Sequence, residues 1–132
     1  MTMCRGVRGA TTIEENTRDA IIVATRELLS EVVATNNIDI DDIASVFFTT
    51  SPDVNAEFPA VAARELGWRS VALMCGHEMS VPHGLEKCIR VLIHWNTDKS
   101  AVEIHHTYLK GAARLRPDLS GRRSPVDQGG IT

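Results

Sequence analysis

The sequence lacks the usual signatures of a nucleotide-binding or nucleophilic enzyme. No Gly-rich phosphate loop follows a strand, no GxSxG elbow occurs, and no paired acid-base constellation is visible. Cysteine is scarce: Cys4, Cys75 and Cys88 are an odd number without CxxC spacing, which argues against both a disulfide framework and a zinc knuckle. Reduced thiols in a cytoplasmic protein are the simpler expectation. The first residues run into Arg5-Gly6-Val7-Arg8-Gly9 without an apolar stretch, unlike a secretory signal. No apolar run approaches the ~20 residues of a membrane span. The histidines offer no convergent metal spacing, since His77 and His83 flank Glu78 while His105 and His106 are adjacent and point apart in a strand. Neither a metal nor any other cofactor is expected, and there is no internal repeat or low-complexity block.

What is present is ordinary in bulk. The 132 residues suit one domain, with 43% hydrophobic and 23% charged residues, enough to bury roughly two-thirds of the unfolded chain's surface. A formal net charge of -3 gives no reason to expect nucleic acid or an anionic membrane as partner. A small anion pocket, however, needs only two or three arginines.

The strongest chemical signal lies between Cys75 and Trp95. Alternation along Lys87 to Trp95 puts Ile89, Val91, Ile93 and Trp95 on one strand face and Cys88, Arg90, Leu92 and His94 on the other. Arg90 thus stands mid-strand among hydrophobes. Its guanidinium cannot be neutralised, and an uncompensated buried charge costs several kcal/mol, so an anion must meet it. Glu78 in a structural ion pair and a ligand carboxylate are both open. Taken singly, Cys75 reads as a small packed hydrophobe, Tyr108 as half-buried core, and Arg8, Arg64 and Arg116 as surface residues.

Read in order, residues 3 to 10 alternate as a first strand, and Thr11 to Asn16 make a polar connection. Ile21, Ala24, Leu28 and Val32 recur at helical spacing from about Thr17 to Ala34, with Asn16 or Thr17 as cap and Asn36-Asn37 as stop. A short turn at Asp39 to Asp42 precedes a second strand, Ile43 to Thr50, whose two apolar or small faces place it inside the sheet. Phe58 to Leu66 forms a short helix with Pro59 at its start and Gly67 at its end. Val71 to Cys75, Lys87 to Trp95 and Ile104 to Leu109 complete five strands. The connection near Pro82 to Gly84 is too short for a helical crossover, so some neighbours must be antiparallel. The class is α+β with a mixed sheet. Residues 1 to 115 are expected as one catalytic domain and residues 116 to 132 as a mobile tail.

Ordered blocks then carry a resemblance over nearly the whole chain. They are Arg5-Gly6-Val7-Arg8-Gly9-Ala10-Thr11-Thr12, Ser51-Pro52-Asp53, Phe58-Pro59-Ala60 with Arg64-Glu65-Leu66, Cys88-Ile89-Arg90-Val91, and Leu115-Arg116-Pro117-Asp118-Leu119. The sequence resembles the monofunctional chorismate mutases of the AroH class, the trimeric Bacillus type. The resemblance implies rearrangement of chorismate to prephenate, without cofactor, in a homotrimer that forms a pseudo α/β barrel with sites between subunits.

Residue by residue, it implies Arg90 beside the ether oxygen and the enolpyruvyl carboxylate, with Arg8 and Tyr108 sharing that anionic end. Glu78, helped by Cys75, would hold the ring hydroxyl. Phe58 and Arg64 would come from the neighbouring subunit, and Leu115 and Arg116 would belong to a closing tail. The family pattern has a lysine directly after Phe-Pro-Ala, where this chain has Val61. A trimeric imine or enamine deaminase and a non-enzymatic dicarboxylate-binding trimer are the alternative readings.

Overall fold

A computed structural model describes residues 1–117. In chain order the main elements are β1 (Met3–Thr12), α1 (Arg18–Asn36), β2 (Ile43–Thr50), α2 (Ala60–Glu65), β3 (Ala72–His77), β4 (Cys88–Thr97) and β5 (Thr107–Tyr108). Two short 3₁₀ turns, Ile40–Asp42 and Ala101–Glu103, lie between them, and a third, Lys110–Arg114, follows β5. The sheet order is β3-β2-β4-β1-β5. β4 lies at its centre, antiparallel to both β1 and β2, while β3 runs parallel to β2 and β5 parallel to β1. The sheet is therefore mixed, as the short connection before β4 required.

Local chemistry explains the helix ends. The Thr17 hydroxyl accepts the Ala20 N–H at 3.1 Å and Asp19 stands in the first turn, both favourable at a positive helix end. Asn37, at φ 54°, closes α1 with its N–H directed to the last carbonyls, a conformation that asparagine tolerates better than most residues. Pro59 starts α2 without an N–H to satisfy, and Gly67 at φ +94° follows its end.

Among the described residues the two α-helices cover one face of the sheet. Val7, Val46, Phe48, Val91, Ile93 and Trp95 pack against Leu28, Leu29 and Val32 of α1 and Ala60 and Ala63 of α2. Complete burial of one such Leu or Ile side chain contributes ~1.5–3 kcal/mol. On the other face, the rung Arg8, Leu92, Phe47, Met74 crosses β1, β4, β2 and β3, and Leu92, Phe47 and Met74 are 36%, 39% and 62% exposed.

Most boundaries shift by one or two residues from expectation, and those of β1 and β5 bear on the site. β1 continues through Thr11 and Thr12, which pair with Ile89 and Cys88; β-branched threonines suit a strand despite their polarity. The last strand shrinks to Thr107–Tyr108, because side chains replace the ladder before it. Asn36 donates to the His105 carbonyl at 2.9 Å and accepts its N–H at 2.8 Å, while the Arg8 N–H donates to His106 Nδ1 at 2.9 Å. Of the expected C-terminal tail, residues 118–132 lie outside the described residues. Among the described residues no helix is long and apolar enough to cross a membrane.

Candidate functional site

A single rung crosses all five strands at the site. Tyr108 pairs with Ala10, Ala10 with Arg90, Arg90 with Thr49, and Thr49 with Gly76. Residues in register share a face, so the arginine is flanked by an alanine on one side and a threonine on the other. Those small neighbours leave a cleft of about 270 Å³, lined by Arg8, Thr49, Glu78, Arg90, Leu92 and Tyr108 among others.

Arg90 is half-buried, and its Nε is buried without a hydrogen-bond partner among the described residues. No carboxylate among the described residues comes within ion-pair distance of it. The structural ion pair with Glu78 is therefore not formed. Instead Glu78 accepts a 2.6 Å hydrogen bond from the Thr49 hydroxyl, and its own N–H donates to the Thr50 carbonyl at 2.8 Å. An orphaned donor on a charged group costs about 1–3 kcal/mol or more, and an anion placed in the cleft removes that penalty.

The surroundings fix these groups from several directions. Cys88 is buried beside Arg90; burial pushes its thiol up, and the Arg90 charge and hydrogen bond pull it part of the way back. The Ser51 hydroxyl accepts the Cys88 N–H at 2.9 Å, and both Asp53 oxygens accept the Lys87 N–H. Slight burial opposes the Asp53 charge, but hydrogen bonds from Ser51 and from the Lys87 and Asp53 backbone, with the Lys87 charge, outweigh it and hold that carboxyl below its ordinary range. Together they pin the start of β4, two residues before Arg90. At the other end of the rung, Leu115 joins an apolar cluster with Ala10, Cys88, Ala112 and Tyr108, and Arg116 follows it, half-buried.

The remaining sequence-predicted residues lie elsewhere on the chain. Cys75 pairs with Phe48 and so faces the helices, whereas Glu78 meets Thr49 on the opposite face. Cys75 instead lines a second cavity, of about 390 Å³, with Phe58, Thr50 and His77. Burial raises its thiol pKa, against lowering by the Ala60 backbone and the nearby Arg64 charge. Phe58 is 64% exposed. The segment carrying it is anchored by Glu57 to Arg18 at 3.0 Å and by Glu65 to Arg26 at 2.9 Å, and Arg64 stays exposed beside them.

One chain thus presents two separate sets, Arg8, Glu78, Arg90, Tyr108 and Leu115 in one place and Phe58, Arg64 and Cys75 in another. Sequence reasoning missed the supporting residues Thr49, Asn36 and His106, whose partners are distant in sequence. Ser51 and Asp53 were visible in a block but had no assigned role.

Comparison with known proteins gives consistent results. The family profile for chorismate mutase type I matches residues 4–119. Chorismate mutase AroH of Thermus thermophilus is 48% identical over 118 residues, covering 89% of this chain and 97% of the relative. The enzyme of the same name from Bacillus subtilis (strain 168) is 44% identical over 119 residues, covering 89% and 94%. A solved chorismate mutase from Clostridium thermocellum is 52% identical, with a TM-score of 0.82, and the match covers 83% of this chain and 98% of that one.

Proposed function

The chain belongs to the type I chorismate mutases, and we propose that its two residue sets meet in a cleft between copies, with Arg90 as the catalytic cation. The enzyme converts chorismate to prephenate, a step of aromatic amino-acid biosynthesis. The reaction is an intramolecular [3,3] rearrangement: the ether carbon–oxygen bond breaks as a carbon–carbon bond forms. No proton moves and no covalent intermediate is needed. Two contributions remain for the protein, holding the reactive conformer and stabilising the charge that separates in the transition state.

In this reading Arg90 directs its fork of donors at the ether oxygen and the enolpyruvyl carboxylate. Electron density grows on that oxygen as the bond breaks, so a fixed cation binds the transition state more tightly than the substrate. Arg8 and Tyr108 take the same carboxylate. Glu78 accepts the ring hydroxyl and opposes positive character on the ring. Phe58, Arg64 and Cys75 belong to the neighbouring copy, where they wall the cleft and draw the ring carboxylate. Leu115 and Arg116 border the entrance.

The observation that carries this reading is the buried Arg90 Nε, without a partner among the described residues, beside a glutamate tied to another residue. The open rung of Leu92, Phe47 and Met74 supports assembly with further copies of the chain, a homotrimer in this reading, because a contiguous apolar face of this kind is normally covered.

The test follows the ultraviolet absorbance of chorismate with purified protein beside Arg90→Ala and Arg90→Lys. Rapid loss with prephenate formed, and turnover reduced ~10²- to 10³-fold or more in both variants, is expected. Arg90→Lys retaining turnover while losing only affinity would show that the arginine binds substrate without stabilising the transition state.

A further inference from the structure

We propose that Thr49 is a positioning residue that holds the Glu78 carboxylate off Arg90, keeping both charges available to the substrate. This rests on the reading of Glu78 and Arg90 as site residues. Both line one cleft, and both charges act on the thiol of Cys88. Opposite charges in a half-buried cleft attract strongly, and left alone they would close into an ion pair. Such a pair would satisfy the fold and occupy the groups that the reaction needs.

The geometry prevents that closure. Thr49 stands directly opposite Arg90 on the neighbouring strand, between it and Gly76 on β3. Its hydroxyl gives its one proton to Glu78 Oε2 at 2.6 Å, the length of a strong charge-assisted bond. A β-branched residue within a strand has few χ1 choices, so the hydroxyl is restricted in direction. Gly76, next along the rung, has no side chain that could compete for the carboxylate. The N–H of Glu78 on the Thr50 carbonyl anchors the backbone as well. Glu78 is thereby tied on the β2 side of the cleft, and the Arg90 Nε keeps its unmet donor.

Thr49→Val removes the hydroxyl at nearly constant shape, and Thr49→Ser retains it; Thr49→Ala replaces the valine variant if that fails to fold. Each is made in the wild type and with Glu78→Gln, and kcat, KM and Tm are measured. The expected result is a ~10- to 100-fold fall in kcat for Thr49→Val, with Tm unchanged or raised because the freed carboxylate pairs with Arg90. Thr49→Ser stays within a few-fold of wild type, and Thr49→Val adds little to Glu78→Gln. A merely structural threonine would instead lower Tm together with activity, and equal losses with and without Glu78 would also overturn the proposal. If Glu78→Gln alone leaves turnover intact, the site reading fails and this proposal with it. If Glu78→Gln lowers turnover and Thr49→Val does not, the positioning role alone fails.

Discussion

An arginine within a strand is tolerable only if something compensates it, and here none of the described residues supplies that compensation at Nε. The same logic applies to charges the fold has omitted. Val61 is half-buried in the first turn of α2, its N–H bonded to the Phe58 carbonyl at 3.1 Å, where the resembling family carries lysine. If the proposed shared cleft is right, Val61→Lys is expected to lower KM several-fold and leave kcat unchanged, since a charge at the mouth of that cleft would aid capture without touching the reacting atoms; initial rates over a substrate series decide it, and an unchanged KM contradicts it. Asp53 gives a pH prediction. Its carboxyl is held below the ordinary value, so it contributes stability above the unfolded value of ~3.9, and that contribution is lost as pH falls through the lower folded value. Asp53→Asn should be less stable at neutral pH by under ~1 kcal/mol, because the group is exposed, and denaturant melts of the two proteins should converge on acidification below ~4. Arg90 was legible in the sequence because a charge interrupts a clear apolar alternation. The separation of Cys75 from Glu78 was not, because three residues at a strand end do not reveal which of them turns to which face.

The strands and helices repay the same reading. α1 and β4 were legible from apolar period, β2 from its β-branched and aromatic run with two apolar or small faces, and α2 from helix formers between Pro59 and Gly67. β5 was not, because Asn36 and His106 make with side chains the bonds that a ladder would have made, and nothing local in the sequence announces a partner so far along the chain. β1 depends on close approach at Gly9, where a Cβ would lie 3.1 Å from Val91 Cγ1, 3.2 Å from Leu28 Cδ1 and 3.2 Å from the Thr107 carbonyl oxygen. Side chains can shift, but that carbonyl belongs to the β1/β5 pairing. Gly9→Ala is expected to destabilise the fold by ~1–3 kcal/mol and to lower turnover through Arg8 and Tyr108, which adjoin it. Thermal melts and rates measured together check both parts; an unchanged Tm would show that β1 and β5 can move apart freely.

For the molecule as a whole, the proposed seating of a copy of the chain across the cleft would account for both the open rung of the sheet and the division of the site into two sets. A trimer has three times the 14.5 kDa of one chain, but its mass alone would not show where the site lies. Mixing inactive variants does. Arg90→Ala and Arg64→Ala each disable every site in a homotrimer whose clefts draw Arg90 from one copy and Arg64 from the next. Refolded together, they assemble trimers in which some clefts take both intact arginines from different chains. With random closed assembly about a quarter of the clefts are whole, and mutase activity should return to roughly that fraction of the wild-type rate. A mixture no more active than the mean of its two components would contradict the shared cleft.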